Sequence, residues 1–404
     1  MFFVLVAGKV EIETLLSDSN QKQPAMTTHV LHTFERAPFQ TEKSIKKIPP
    51  GLRRALHPPR TLTGFARWQW RMKNDSQYLR LHVQIAFTLL VLWIGAEFIA
   101  FVHWLESGGV GAEVTRPPGV EGFLPLSALI SLKHWWLTGS LNLVHPSAVF
   151  ILLAIVATSV LLKKSFCGWL CPVGFLSELH WKFGRMLFGG NLRVWKFLDW
   201  PLRMIKYLLL FFFLYAIVWQ MNVRELTAFI YSPYNRVADL KMLRFFTELD
   251  RTGLIILGVL ALLSLPIKNF WCRYFCPYGA LLGLGSLFSP AKITRNRASC
   301  IDSELCTKAC PSNIKVHQLT RVHSDECMAC LSCAQACPVK NTLDLKTALP
   351  ARRLPAPVLA ALLLGLFVAI TGAAMLAGVW QNAITAEEYL QHMPRIEAYG
   401  HPGR

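Results

Sequence analysis

Eleven cysteines fall into four tight groups along a chain of 404 residues, with the spacing of metal ligands rather than of cross-links between distant segments. Residues 327–338 read Cys327-Met-Ala-Cys330-Leu-Ser-Cys333-Ala-Gln-Ala-Cys337-Pro338. In such a C-x2-C-x2-C-x3-C-P run three close thiolates wrap one corner of an iron–sulfur cubane, the fourth reaches a neighbouring cluster, and proline ends the turn. A zinc site needs four ligands and would leave the upstream half without a purpose. That half reads Cys300-Ile-Asp-Ser303-Glu-Leu-Cys306-Thr-Lys-Ala-Cys310-Pro311, the same frame with Ser303 at the second cysteine position. If ligands cross over between two clusters, Cys327, Cys330, Cys333 and Cys310 hold a complete 4Fe–4S set. Cys300, Cys306 and Cys337 then hold the other cluster, with Ser303 in the fourth place. Three outcomes are open there: serine-oxygen ligation, a three-iron cluster, or a four-iron cluster closed by water or another external ligand. Oxygen is a harder donor than thiolate, so the two potentials should differ, the sign being open.

The remaining cysteines form a repeat. Cys167-Gly-Trp-Leu-Cys171-Pro172-Val-Gly174-Phe-Leu and Cys272-Arg-Tyr-Phe-Cys276-Pro277-Tyr-Gly279-Ala-Leu share C-x3-C-P-x-G-x-L. Two thiols at i and i+4 share a helix face, and two such turns could present four sulfurs to a third iron–sulfur or metal site. The alternatives are reduced pairs that merely pack, or a thiol redox relay.

The elements that must position these groups are read from composition. The chain is 53% apolar and 16% charged, with a mean hydropathy of +0.36, values of a membrane protein rather than a soluble domain. Five apolar stretches are candidate spans: 83–104, 146–162, 204–222, 252–268 and 355–379. The stretch 123–137 is interrupted by Lys133-His134 and reads as re-entrant or interfacial, with Trp135-Trp136 as an interface anchor. The net charge of +18 comes from Lys and Arg beside these spans, which favours anionic lipid and orientation over nucleic acid.

A basic flank before the first span predicts a cytoplasmic N-terminus, and the alternation of spans then puts 163–203 and 269–354, hence every cysteine, on the cytoplasmic side and the C-terminus in the periplasm. Thiolate ligands require a reducing compartment and lead independently to the same side. Met1–Ala7 lacks the features of a signal peptide, and Met26 is a second candidate start. The expected fold is mainly α: a polytopic bundle of about five spans with a small α+β two-cluster ferredoxin-like domain on the cytoplasmic side. The expected parts are a basic N-terminal segment (1–80), the bundle with both CxxxCP motifs (81–295), the iron–sulfur domain (296–348), and a last span with its tail (349–404).

The two CxxxCP motifs at 167–172 and 272–277, followed by the paired run at 300–338, resemble the membrane polyferredoxin family typified by NosR and NapH. The resemblance covers roughly residues 83–346. It implies 4Fe–4S clusters in the ferredoxin portion and electron transfer at the cytoplasmic face, coupled to a quinol pool or a periplasmic reductase. The chain departs from the pattern at Ser303. It also departs ahead of the first span, where NosR-like members carry a large periplasmic flavin-binding domain for which residues 1–80 are too short and too polar.

The leading functional expectation is therefore membrane-bound electron transfer through ferredoxin-like clusters, with a redox partner protein or quinol and membrane lipid as partners. The alternatives are an accessory or regulatory redox-sensing or maturation protein, favoured by the odd Ser303 site, and a membrane metal-ion reductase using the CxxxCP thiols. No phosphate-binding glycine loop is present, which argues against direct use of NADH. His82, His103, His134 and His145 lie near span ends, where they serve more often as polar anchors than as haem ligands, and haem is not expected. Glu97, inside the first span, reads as a paired carboxylate or a proton-transfer group.

Overall fold

The computed structural model describes residues 54, 59, 61–348 and 351–400. Most of the basic N-terminal segment, with Met1–Ala7 and Met26, lies outside the described residues. The rest is mainly helical.

Helix α1 (Ser76–Glu106) starts where Asp75 accepts hydrogen bonds from the backbone N–H groups of Gln77 and Tyr78 at 3.0 and 3.1 Å. Its 31 residues reach about 46 Å at ~1.5 Å per residue, more than the ~30 Å of a bilayer core. A helix (Pro125–Thr138) follows, ended by Gly139 in the left-handed conformation. Next come α2 (Pro146–Leu162), α3 (Ser165–Trp169) and α4 (Pro172–Phe188). Helix α5 (Lys196–Tyr215) carries on through a π-turn to Gln220. The three-helix unit then repeats as α6 (Arg251–Ser264), α7 (Phe270–Tyr274) and α8 (Pro277–Leu287).

Strand β1 (Lys292–Arg295) pairs antiparallel with β2 (Leu343–Lys346), Ile293 facing Leu345, and short helices α9 (Leu305–Lys308) and α10 (Ser332–Ala336) lie between them. The long helix α11 (Ala356–Leu376) returns to the bundle and packs mainly on α2.

Helix α1, the stretch Lys196–Gln220 and α11 are long and apolar enough to cross a membrane; α2 and α6, with 17 and 14 residues, are apolar but shorter. All five coincide with stretches that the hydropathy of the sequence marks. Large apolar side chains stand exposed on their outer faces, among them Trp93, Phe212, Leu262 and Val368. Such a belt is stable against lipid and unstable against water. The chain is a membrane protein.

One core of buried residues joins the bundle to the β1–β2 unit, running from Ile155 and Leu162 through Trp169 and Leu282 to Ile293, Val322 and Leu345. The cysteine-bearing unit is thus packed onto one end of the helices.

Candidate iron–sulfur centres

Both CxxxCP motifs are built alike. The first cysteine lies in a five-residue helix (α3 or α7); the second caps the next helix (α4 or α8), whose first residue is the proline. Proline suits that position because its missing N–H would be unpaired there anyway. The glycine two residues on has a steric cause. A Cβ at Gly174 would stand 2.5 Å from the carbonyl oxygen of Cys167, and one at Gly279 would stand 3.3 Å from that of Cys272. The backbone N–H of Gly279 donates to Cys276 Sγ at 3.3 Å.

Cys167, Cys171, Cys272 and Cys276 line one cavity of about 1110 Å³ that also follows α1 and α11 through the bundle. Burial pushes the Cys167 thiol up to about 12 and that of Cys171 up to about 11. Burial, then the neighbouring Cys276, Cys171 and Cys167, raise that of Cys272. A thiol relay depends on depressed pKa values, so these groups are poorly placed for one. Burial disfavours the bare thiolates of Cys167, Cys171 and Cys272, and a bound metal would favour them.

Lys164 adds a second constraint. It is 3% exposed, lines the same cavity, and makes no hydrogen bond or ion pair with the described residues. The nearby Glu326 is taken by Lys206. Burial works against the charge on Lys164, but Glu326 and then the CxxxCP sulfurs favour the ammonium and raise its pKa, and a cluster of four thiolates would add counter-charge of the same sign.

In the ferredoxin-like unit the cysteines separate into two further cavities. Cys310, Cys327, Cys330 and Cys333 line one, and all four are buried, at 7–9% exposure. Cys300, Ser303, Cys306 and Cys337 line the other, whose cysteines are only half-buried. The two sets are those that ligand crossover predicts. Burial pushes Cys310 up to about 12 and Cys306 up to about 11. Among the described residues no three His, Cys, Asp or Glu side chains gather on a point that could hold a single metal ion. The thiols of each set line a common cavity, as ligands of a shared cluster do.

The inner cavity touches the first CxxxCP turn. A Cβ on Gly168 would lie 2.7 Å from the carbonyl oxygen of Met328. Trp169 Nε1 donates to the Ala329 carbonyl at 3.0 Å. Helix α1 clamps both: Arg80 Nε and Gln84 Nε2 donate to the Gly168 carbonyl at 2.8 and 3.1 Å, and Gln77 Nε2 donates to that of Cys330 at 2.8 Å. The second repeat holds on through Arg273, which donates to the Ser312 carbonyl at 2.8 Å.

A family profile described as a 4Fe-4S binding domain matches residues 144–191 and again 250–296, each match spanning one CxxxCP unit. A second, described as a 4Fe-4S dicluster domain, matches residues 292–338. YccM of Escherichia coli, named for a proposed role in electron transport, is 42% identical over 349 residues, 85% of this chain and 97% of its own. The regulatory protein NosR of Pseudomonas aeruginosa is 30% identical over 190 residues, 46% of this chain and 25% of its own. The ferredoxin-type protein NapH of Escherichia coli is 25% identical over 222 residues, 53% of this chain and 71% of its own. The chain belongs to the membrane polyferredoxin family. No solved structure matches it.

As a polyferredoxin the chain carries 4Fe–4S clusters, and the structure places four CxxxCP thiols around one cavity with the buried Lys164 beside them. Sequence reasoning did not single out Lys164, although Lys163-Lys164 directly precedes the first motif. Lys163 donates to the Ser324 carbonyl at 2.9 Å, beside the inner cavity.

Nor did it find a buried ionic group at the opposite end of the bundle. Arg116 donates to Asp239 at 2.6 Å and to Glu121 at 3.0 Å. Glu121 accepts from Ser147 at 2.5 Å, and Tyr389 donates to Asp239 at 3.2 Å. Burial opposes the charge on Glu121, yet Arg116 and His145 hold its carboxyl below the usual range. His145 belongs to this group, its Nε2 facing the Asn235 carbonyl at 2.6 Å. His82 faces the Tyr78 carbonyl, His134 pairs with Thr138, and His103 lies exposed beside Glu106. Glu97 accepts a hydrogen bond from Trp93 at 2.9 Å.

Proposed function

We propose that this polyferredoxin is a membrane-bound carrier of single electrons, linking a quinol pool or a cytoplasmic donor to a respiratory reductase. Three cysteine sets would hold its clusters: Cys167, Cys171, Cys272 and Cys276 at the end of the bundle; Cys310, Cys327, Cys330 and Cys333 in the inner position; and Cys300, Cys306 and Cys337 with Ser303 outermost. When bound, the clusters supply one-electron uptake and release, and the protein sets their spacing, charge and access to water.

The observation that carries this reading is the direct packing of the first CxxxCP turn, at Gly168 and Trp169, against the loop 327–330. It brings the turn that carries the membrane-end thiols into direct contact with the loop that carries the inner set. The outer set, half-buried, is the one a soluble partner can approach. The large cavity beside the CxxxCP thiols, apolar along α1 and α11, suits a quinol.

All eleven cysteines sit at one end of the bundle. That supports a five-span arrangement with the iron–sulfur domain (296–348) in the cytoplasm and the tail outside. The test is iron and sulfide quantitation with EPR on the anaerobically purified chain. Three reducible centres are expected in the wild type. A double Cys167→Ser, Cys272→Ser variant should lose one centre and keep the ferredoxin pair. A folded preparation without iron, or three centres surviving in the double variant, refutes the assignment.

A further inference from the structure

We propose that Ser303 Oγ is the fourth ligand of the outer 4Fe–4S cluster, an oxygen standing where the repeated frame has its second cysteine. This rests on the reading of Cys300, Cys306 and Cys337 as ligands of that cluster, and names the group that closes the set.

The backbone around Ser303 is shaped as a cluster loop. Cys330, the second cysteine of the downstream frame, sits between Ala329 at φ +46° and Leu331 at φ +59°. Ser303 sits between Asp302 at φ +48° and Glu304 at φ +55°. Left-handed backbone at a residue other than glycine is uncommon and carries strain, of order 1–3 kcal/mol per residue. Two such residues around one position, repeated at the matching position of the other frame, mean that the loop keeps its wrap although the thiol is gone. A serine merely tolerated on a surface turn has no use for that strain.

The side chain is free for the task. Five serines lie between residues 292 and 348. Ser299 pairs with Thr342, Ser312 donates to the Glu326 carbonyl, Ser324 accepts from the Glu326 N–H, and Ser332 donates to Gln77. Ser303 alone of the five makes no hydrogen bond with the described residues, and it lines the cavity beside Cys300, Cys306 and Cys337. Metal–oxygen bonds are only about 0.2 Å shorter than metal–sulfur bonds. The shorter carbon–oxygen bond adds to the difference, so the loop at Ser303, with Asp302 and Glu304 exposed on either side, must sit closer to the cluster than the one at Cys330.

The surroundings suit an anionic cluster. Arg295 Nη1 lies 3.4 Å from Cys300 Sγ and 3.3 Å from Asp302, and the guanidinium of Arg54 pairs with Asp344 at 3.7 Å. On ligation the serine O–H bond breaks, its proton leaves to solvent through the open face, and an oxygen–iron bond forms with no electron transferred. A harder, more basic donor favours ferric iron. The outer cluster therefore takes an electron at a more negative potential than the same cluster with cysteine at 303.

The experiment uses the full chain in detergent, purified without oxygen, as wild type, Ser303→Cys and Ser303→Ala, read by iron content, EPR, Mössbauer spectroscopy and redox titration. The wild type is expected to hold a four-iron outer cluster with one iron of oxygen-ligated character. Ser303→Cys should lose that character and raise the outer potential. Ser303→Ala should shed one iron on mild oxidation and show a three-iron signal, with the inner cluster unchanged throughout. A three-iron outer cluster in the anaerobic wild type overturns the proposal. So does Ser303→Ala matching the wild type in iron content and spectrum, since the fourth position would then be closed from outside. If even Ser303→Cys holds no outer cluster while the inner one forms, the assignment of Cys300, Cys306 and Cys337 has failed, and this proposal fails with it.

Discussion

At the scale of single residues, charge placement stands out. Lys164 is buried with no carboxylate to itself, beside thiols that burial would keep neutral. Burial works against its charge and Glu326 favours it; thiolates on a metal would add to that, so that lysine and cluster stabilise each other. Reduction adds negative charge, which the ammonium favours. Replacing Lys164 by Met should therefore lower the potential of the CxxxCP centre by roughly 60 mV or more, a tenfold change in a one-electron equilibrium. Redox titration followed by EPR checks this, with the signals of the other two centres as internal controls. An unchanged potential would mean that the lysine is screened or faces elsewhere.

Among the elements, the decisive contact is between the five-residue helix α3 and the loop 327–330. Gly168 allows it because any larger residue would drive its Cβ into the Met328 carbonyl at 2.7 Å, and backbone cannot move aside as a flexible side chain can. Gly168→Ala is expected to loosen the docked unit while sparing the ligands. Iron content should stay near that of the wild type, magnetic interaction between the centres should weaken, and electron delivery from a quinol analogue to a soluble acceptor should fall by about tenfold or more, the consequence of misplacement on the order of 1 Å. Full delivery in this variant would show that α3 is not the bridge. The repeat of apolar helix, five-residue helix and proline-started helix gives the two CxxxCP units one construction, so Gly174 and Gly279 serve the same close approach in each.

For the whole molecule, the proposed sidedness rests on where the cysteines lie. Thiol ligands at one end of the bundle need that end in a reducing compartment. Phosphatase fusions, active only where disulfides form, should be inactive after Gly190 and active after Gly400. Activity after Gly190 would invert the arrangement and with it the choice of redox partners.

Much of this protein was legible in local spacing. Cysteines spaced by a few residues mark cluster ligands even where the fourth of a run crosses to a neighbouring cluster, so the groups 167–171, 272–276, 300–310 and 327–337 announce their chemistry without a fold. Apolar runs likewise announce helices, because backbone polar groups in lipid must be paired within their own segment. What local spacing could not contain is the meeting of residues far apart in the chain: Gly168 against Met328, Lys164 among thiols from two repeats, and Arg116 bonded to Asp239 across 123 positions. Such contacts depend on how helices pack, and packing is set by the summed shape of many side chains rather than by any motif. Backbone angles belong with them: Ser303 reads in the sequence as a lost cysteine, and only the fold shows that its loop kept the cysteine's shape.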